Sequence, residues 1–114
     1  MEKIWLRQYP PGVPHTIDTS AYRSLVELLD EGLRRHARLP AYRFMDRAWT
    51  FSDIGVASRY MGAYLQGVGL QPGDRVAVML PNVPQYPVVV AAILRAGFVV
   101  VNVNPLYTPR ELEH

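Results

Sequence analysis

Residues 75–103 constrain the fold more than any other part of the chain. Arg75-Val76-Ala77-Val78-Met79-Leu80 reads as a strand, and Pro81 and Asn82 close it. Pro84 suits the first turn of a helix over Gln85 to Arg95 or Ala96. Gly97 suits the left-handed position that ends such a helix. Phe98 to Val103 then reads as a second strand. Both strands are continuously apolar rather than alternating, the pattern of a parallel sheet covered on both faces. A helix between two parallel strands is the crossover that their pairing requires, and its hand is expected to be right. This βαβ unit predicts where function should lie: beyond the C-terminal ends of its strands, near Pro81-Asn82 and Asn102-Val103-Asn104.

Two parallel strands bury little by themselves, and no third parallel candidate exists in these 114 residues. Thr108-Pro109-Arg110-Glu111 opens a further helix, with Thr as N-cap, Pro at the first helical position and Glu three residues after the cap. Only Leu112, Glu113 and His114 follow, too few for a helix to sustain itself. The expectation is therefore an α/β chain that is the front of a longer, layered parallel-sheet domain, incomplete at its C-terminal end.

Upstream elements fit that frame. Ser24 to His36 reads as a helix, with a capping box from Ser24 and Glu27 and one face formed by Leu25, Leu28, Leu29, Leu33 and His36. Glu27, Asp30 and Glu31 come early and Arg34, Arg35 and His36 late, an order that suits the helix dipole. Ala41 to Met45 and Trp49 to Phe51 read as a short hairpin joined by Asp46-Arg47-Ala48. A second helix follows, capped by Thr50 with Asp53 or by Ser52 alone. Its expected stripe is Ile54, Ala57, Met61, Tyr64 and Leu65, and Gly67 or Gly69 ends it. Gln71-Pro72-Gly73-Asp74 is a type II turn signal, with Asp74 pinning it. Residues 1–20 form an extended leader, since the prolines of Tyr9-Pro10-Pro11-Gly12-Val13-Pro14 exclude regular helix and central strand. Trp5 and Tyr9 are expected to hold this arm against its own domain; a partner or membrane contact is the alternative. Two regions result: a leader over 1–20 and a partial domain over 21–114.

Composition narrows the function classes. Hydrophobic residues make up 49% of the chain, so it is not a disordered tail. Net charge is +2, with signs mixed along the sequence, and no basic stripe points to nucleic acid. There is no Cys, which excludes disulfides, thiolate catalysis and Cys-based metal sites in this stretch. Met1 to Tyr9 lacks the apolar core of a signal peptide. The apolar run from Val88 is interrupted at Arg95 and falls short of the roughly 20 residues of a spanning helix.

The residues offer little chemistry. His15, His36 and His114 are widely spaced, and His36 reads as a half-exposed residue at a helix end. The sole lysine is Lys3, in the leader. Gly67-Val68-Gly69-Leu70-Gln71-Pro72-Gly73 is rich in glycine but runs from helix to strand, the reverse of a dinucleotide loop. Glu111 and Glu113 point to different faces of the emerging helix. Asn82, Asn102 and Asn104, near strand ends, need hydrogen-bonding partners. They read as loop pins or, alternatively, as ligand contacts.

Three phrases carry a family resemblance: Leu80-Pro81-Asn82-Val83-Pro84-Gln85-Tyr86-Pro87, Ala92-Ile93-Leu94-Arg95-Ala96-Gly97, and Val101-Asn102-Val103-Asn104-Pro105-Leu106-Tyr107-Thr108-Pro109-Arg110-Glu111-Leu112. Together they resemble the N-terminal region of adenylate-forming acyl-CoA synthetases, and within these the bacterial long-chain fatty-acid–CoA ligases. Pro40-Ala41-Tyr42, Trp49-Thr50-Phe51-Ser52-Asp53-Ile54, Leu70-Gln71-Pro72-Gly73-Asp74-Arg75-Val76-Ala77 and the leader residues Trp5, Tyr9-Pro10 and Val13-Pro14 agree.

The resemblance implies an enzyme that activates a fatty acid with Mg-ATP to an acyl-adenylate and pyrophosphate. Coenzyme A then displaces AMP, giving acyl-CoA for fatty-acid degradation. Other carboxylic acids, whether aryl, short-chain or carrier-protein-linked, are the alternative substrates, and a non-catalytic interaction module is the alternative of another class. The resemblance further implies small-molecule substrates, no nucleic acid, a cytoplasmic location with peripheral contact at the inner membrane face, and a homodimer. The family's Ser/Thr/Gly-rich phosphate loop ending in Pro-Lys-Gly, its adenine and ribose motifs and its catalytic lysine have no counterpart in these residues. No catalytic, cofactor-binding or metal-ligating role is therefore placed on any residue. The 114 residues alone are expected to bind neither Mg2+, ATP nor coenzyme A, and to be inactive.

Overall fold

Local capping and turn chemistry set the elements of the computed structural model, which describes residues 3–113. Met1, Glu2 and His114, and with them the reading of His114 and of the first leader residues, lie outside the described residues. A 3-10 turn over Ile4–Gln8 opens the chain. It is followed by α1 (Leu25–Arg35), β1 (Pro40–Phe44), β2 (Arg47–Thr50), α2 (Phe51–Gly67), β3 (Arg75–Val78), α3 (Gln85–Arg95), β4 (Val99–Asn102) and α4 (Pro109–Leu112).

The caps act as their residue types require, with one shift. Ser24 Oγ accepts from the Glu27 N–H at 3.1 Å, but the Glu27 carboxylate reaches one residue further back, to the Arg23 N–H at 2.8 Å. At α2 the box closes: Thr50 Oγ1 accepts from the Asp53 N–H (3.1 Å), and the Asp53 carboxylate accepts from the Thr50 N–H (2.9 Å). Thr50, not Ser52, is therefore the cap. At α4 the Glu111 carboxylate accepts from both the N–H and the hydroxyl of Thr108, each at 2.8 Å.

Strands β1 and β2 pair antiparallel, with Phe44 opposite Arg47. The connection is thus the two residues Met45-Asp46, and Arg47 and Ala48, expected in the turn, belong to the ladder. Two-residue hairpins need positive φ in the turn, and Met45 supplies it at φ 50°.

The βαβ unit forms as expected. Strands β3 and β4 are parallel, with Arg75 opposite Val99 and Val78 opposite Asn102. Hydrogen bonds from the Val99 N–H to the Asp74 carbonyl (2.8 Å) and from the Val103 N–H to the Val78 carbonyl (3.0 Å) continue the ladder past the strand limits. Gly73 and Gly97 both adopt left-handed φ, 91° and 88°. The Gly73 N–H donates to the Gly97 carbonyl at 2.8 Å, tying the turn before β3 to the end of α3. A side chain at either position would be strained.

The core is small. Leu65 of α2, Val78 of β3, Ile93 and Ala96 around the end of α3, and Phe98 form its buried centre, ringed by Met61, Leu70, Val76, Leu80, Tyr86, Val89 and Val100. On α2 the expected stripe holds at Ile54 and Leu65 but fails at Tyr64, which is exposed. The buried face instead runs through Gly55, Ser58 and Gly62. Gly55 lies against Leu33 of α1, and Gly62 lets α2 approach α3 closely. A Cβ on Gly62 would lie 3.3 Å from the Ala92 carbonyl oxygen.

Two expectations of cover are corrected. The sheet is packed on one face only: Val76, Val78 and Val100 turn inward, while Val99 (45%) and Val101 (37%) remain exposed. Helix α1 has no buried residue, and Leu25 and Leu28 are exposed. The radius of gyration is 17.7 Å, against about 13 Å for a compact domain of this length. Accessible surface is 9271 Å², where a compact chain of this mass exposes about 6,300 Å².

Candidate functional site

Parallel pairing brings the loops after β3 and β4 side by side, because Val78 and Asn102, the last residues of the two strands, are opposite one another. Asn102 Oδ1 accepts a hydrogen bond from the Tyr86 hydroxyl at 3.0 Å. Tyr86 stands in the first turn of α3, so the strand end is held against the helix that crosses between the strands. Asn104 Oδ1 accepts from the Leu106 N–H (3.0 Å), and its carbonyl accepts from the Tyr107 N–H (3.0 Å). Asn102 and Asn104 are thus pins of the strand ends. Asn82 differs: with Val83, Pro84 and Tyr86, and with Tyr42, Arg43 and Phe44 of β1, it lines a cleft of about 250 Å³. The hairpin and the loop after β3 are its two walls.

A second, wider cleft of about 710 Å³ lies between α1 and α2, with Leu33, Phe51 and Gly55 among its apolar lining and Glu27, Asp30, Glu31, Arg34, Arg59 and Arg95 around it. Arg95 reaches across from α3 and donates to Asp30 at 2.6 Å. Its side chain is only 20% exposed, and its Nε is buried without a hydrogen-bond partner. The acidic and basic groups of this cleft balance, and its charged centre already has a partner in the chain itself.

Each perturbed carboxyl accepts hydrogen bonds from a residue two or three positions away, Asp53 and Glu111 in capping boxes and Asp18 in a local turn. The Asp53 carboxyl is held below the usual carboxylate range by the hydrogen bond from the Thr50 N–H and then by that from the Thr50 hydroxyl. Glu111 is lowered in the same way by the Thr108 N–H and hydroxyl. Asp18 is lowered by the hydroxyl and then the N–H of Ser20. All three are exposed and organise backbone. The described histidines make ring contacts: His15 with Tyr9 at 6.0 Å and His36 with Phe51 at 5.8 Å. Among the described residues no group of three His, Cys, Asp or Glu side chains is placed to hold a metal ion.

The strand-end loops meet where the sequence predicts, and two of the three asparagines are pins. Tyr86 and the aromatic wall of β1 were not legible as parts of this edge. The available signal was the need of a strand-end asparagine for a donor, which a tyrosine at the start of the crossover helix can supply.

Comparison with known proteins gives this architecture a context. The sequence model of the family described as AMP-binding enzyme matches residues 29–114. A long-chain-fatty-acid–CoA ligase of Yersinia pestis is 54% identical over 100% of this chain, and one of Salmonella typhimurium is 55% identical over the same span. The chain covers 20% of the length of each of those relatives. Among solved structures, the N-terminal subdomain of Klebsiella oxytoca NpsA in complex with 3-hydroxyanthranilyl-AMSN superposes with a TM-score of 0.77 at 25% identity, covering 81% of this chain and 24% of that one.

Proposed function

Because the chain belongs to the AMP-binding enzyme family, we propose that it forms the N-terminal part of an ATP-dependent ligase that joins long-chain fatty acids to coenzyme A. The observation that carries this reading is identity above 50% to long-chain-fatty-acid–CoA ligases over the whole chain. The likeness to NpsA is far more distant in sequence, and that protein's complex holds an aryl group. The reaction proceeds by carboxylate attack on ATP, release of pyrophosphate, and displacement of AMP by the coenzyme A thiol.

Within this reading residues 1–20 are a leader and 21–114 a scaffold segment. No Mg-ATP or coenzyme A site is assigned to the described residues. They form no carboxylate cluster for Mg2+, the glycine-rich stretch leads from α2 to β3 rather than from strand to helix, and the sole lysine, Lys3, lies in the leader. No step of the reaction is therefore assigned to a side chain here. What these residues contribute is the pinned edge formed by Tyr86, Asn102 and Asn104, which fixes where the loops after the first two parallel strands begin.

The surface supports a scaffold role over a free-standing module. An open apolar sheet face and roughly 3,000 Å² more surface than a compact chain of this mass would expose call for further chain against them. Among the described residues no helix is long and apolar enough to cross a membrane. Contact with the bilayer, from which a fatty acid would be drawn, is accordingly proposed as peripheral.

ATP–pyrophosphate exchange tests the reading. A ligase carrying this segment is expected to exchange with long-chain fatty acids and not with aryl or short-chain acids; the opposite order would replace the substrate class. The 114 residues alone are expected to give no exchange above background, and turnover would overturn the scaffold assignment.

A further inference from the structure

We propose that Tyr86 is a positioning residue of the ligase reaction: its backbone N–H holds the loop after β3, its hydroxyl holds the end of β4, and the spacing so fixed seats one of the substrates at this edge. The inference rests on the ligase reading above and deepens it. Ligands of parallel α/β sheets lie beyond the carboxyl ends of the strands. Those ends are Val78 and Asn102, directly opposite one another. The loop after β3 is tight, with the Val83 N–H on the Pro81 carbonyl at 2.8 Å, and the Tyr86 N–H donates to the Val83 carbonyl at 3.0 Å. The Tyr86 hydroxyl donates to Asn102 Oδ1 at 3.0 Å, across 16 positions of sequence. One residue thus ties both loops to the start of the crossover helix.

The Tyr86 ring packs against the core of Leu65, Val78, Ile93, Ala96 and Phe98, so its hydroxyl is carried on an anchored support. The side-chain hydrogen bonds further along the outgoing chain are local: the Leu106 N–H donates to Asn104, and Thr108 donates to Glu111. They shape the segment after β4 from within and do not relate it to the loop after β3. Beyond the backbone ladder, whose last bond runs from the Val103 N–H to the Val78 carbonyl, that relation passes through Tyr86. Tyr86→Phe removes the hydroxyl and keeps the ring, so one neutral hydrogen bond is lost and no packing. The substrate must then restore the spacing as it binds. The loss therefore appears in binding rather than in the chemical step.

Steady-state kinetics of the full ligase carrying Tyr86→Phe, with fatty acid, ATP and coenzyme A varied in turn, test the proposal. The KM of one of the three is expected to rise about fivefold, with kcat and the other two KM values unchanged. A merely structural role would lower kcat through the fraction of active enzyme and leave every KM alone. That result, three unaltered KM values, or an equal rise in all three would overturn the positioning role. Asn102→Ala is expected to raise the same KM, and the double variant to raise it no further than the larger single change. Additive effects would overturn the pairing of Tyr86 with Asn102. Failure of the fatty-acid reading would appear in the unaltered enzyme, as exchange with another acid; the same comparison made with that acid still reads the pair.

Discussion

Gly62 offers a direct test of how closely α2 and α3 pack. Gly62→Ala and Gly32→Ala are the same chemical change in two helix interiors. Each gains about 1 kcal/mol of helix propensity over glycine. At Gly32 a Cβ meets nothing within 4 Å, so the gain should stand. At Gly62 it meets the Ala92 carbonyl oxygen at 3.3 Å, with Ala92 Cα and Ala96 Cβ each at 3.9 Å. The blocking atom is backbone inside α3, beside fully buried Ile93, so it cannot rotate away. The helices must separate by a few tenths of an ångström, and overpacking of this kind costs about 1–3 kcal/mol. The two variants should therefore differ in sign: Gly32→Ala stabilising by about 1 kcal/mol, Gly62→Ala destabilising by about 1 kcal/mol. Hydrogen exchange read by mass spectrometry on peptides of α2 and α3 measures this whether or not the chain melts in one step. If Gly62→Ala slows exchange as much as Gly32→Ala does, the small-residue face is not a close-packing surface and the argument fails.

Other substitutions probe the caps, the hairpin and the ion pair. Thr50→Ala should weaken α2 by about 1 kcal/mol. Because the Asp53 carboxyl is depressed below its ordinary 3.8, its contribution is complete above that value and is lost as pH falls through the lower folded value. A carboxyl titration by NMR should show this in the parent chain and a return toward 3.8 in Thr50→Ala. Met45→Gly relieves a positive φ of 50° and should stabilise the hairpin by under about 1 kcal/mol after the entropy of glycine is subtracted, raising its thermal midpoint; a lowered midpoint would contradict the turn geometry. Asp30→Ala strands a largely covered guanidinium, whereas Arg95→Met removes it, so urea titration should find Asp30→Ala the more costly, by about 1–2 kcal/mol.

Local chemistry was readable in the sequence, and packing was not. Thr50-x-x-Asp53, Thr108-Pro109-x-Glu111 and Pro72-Gly73-Asp74 act through atoms within three residues of one another, so their spacing states their geometry. The parallel pairing of β3 and β4 follows from a single helical crossover, and that too was legible; their register was not. Burial on α2 was not, because the stripe was read as mostly large apolar side chains, and the helix instead buries small ones at Gly55, against Leu33 of α1, at Ser58, and at Gly62, against α3. The continuous apolar run of Val99-Val100-Val101 implies cover on two faces, yet the chain supplies it on one. The cleft beside Asn82 depends on where the β1–β2 hairpin lands against the loop after β3, a placement that no local spacing encodes.

The unpaired outer margins of β3 and β4 also bear on the order of assembly during synthesis. The pair closes through one short crossover, Arg75 meeting Val99, so it can form soon after this stretch leaves the ribosome, before any later strand exists. In the scaffold segment proposed above, both margins, unpaired among the described residues, present free backbone donors and acceptors beside exposed Val99 and Val101, the arrangement that recruits neighbouring nascent chains. The same two strands that can nucleate a larger sheet are then its period of greatest exposure to aggregation. Slowing elongation just past residue 103 should increase capture by chaperones that recognise extended apolar segments.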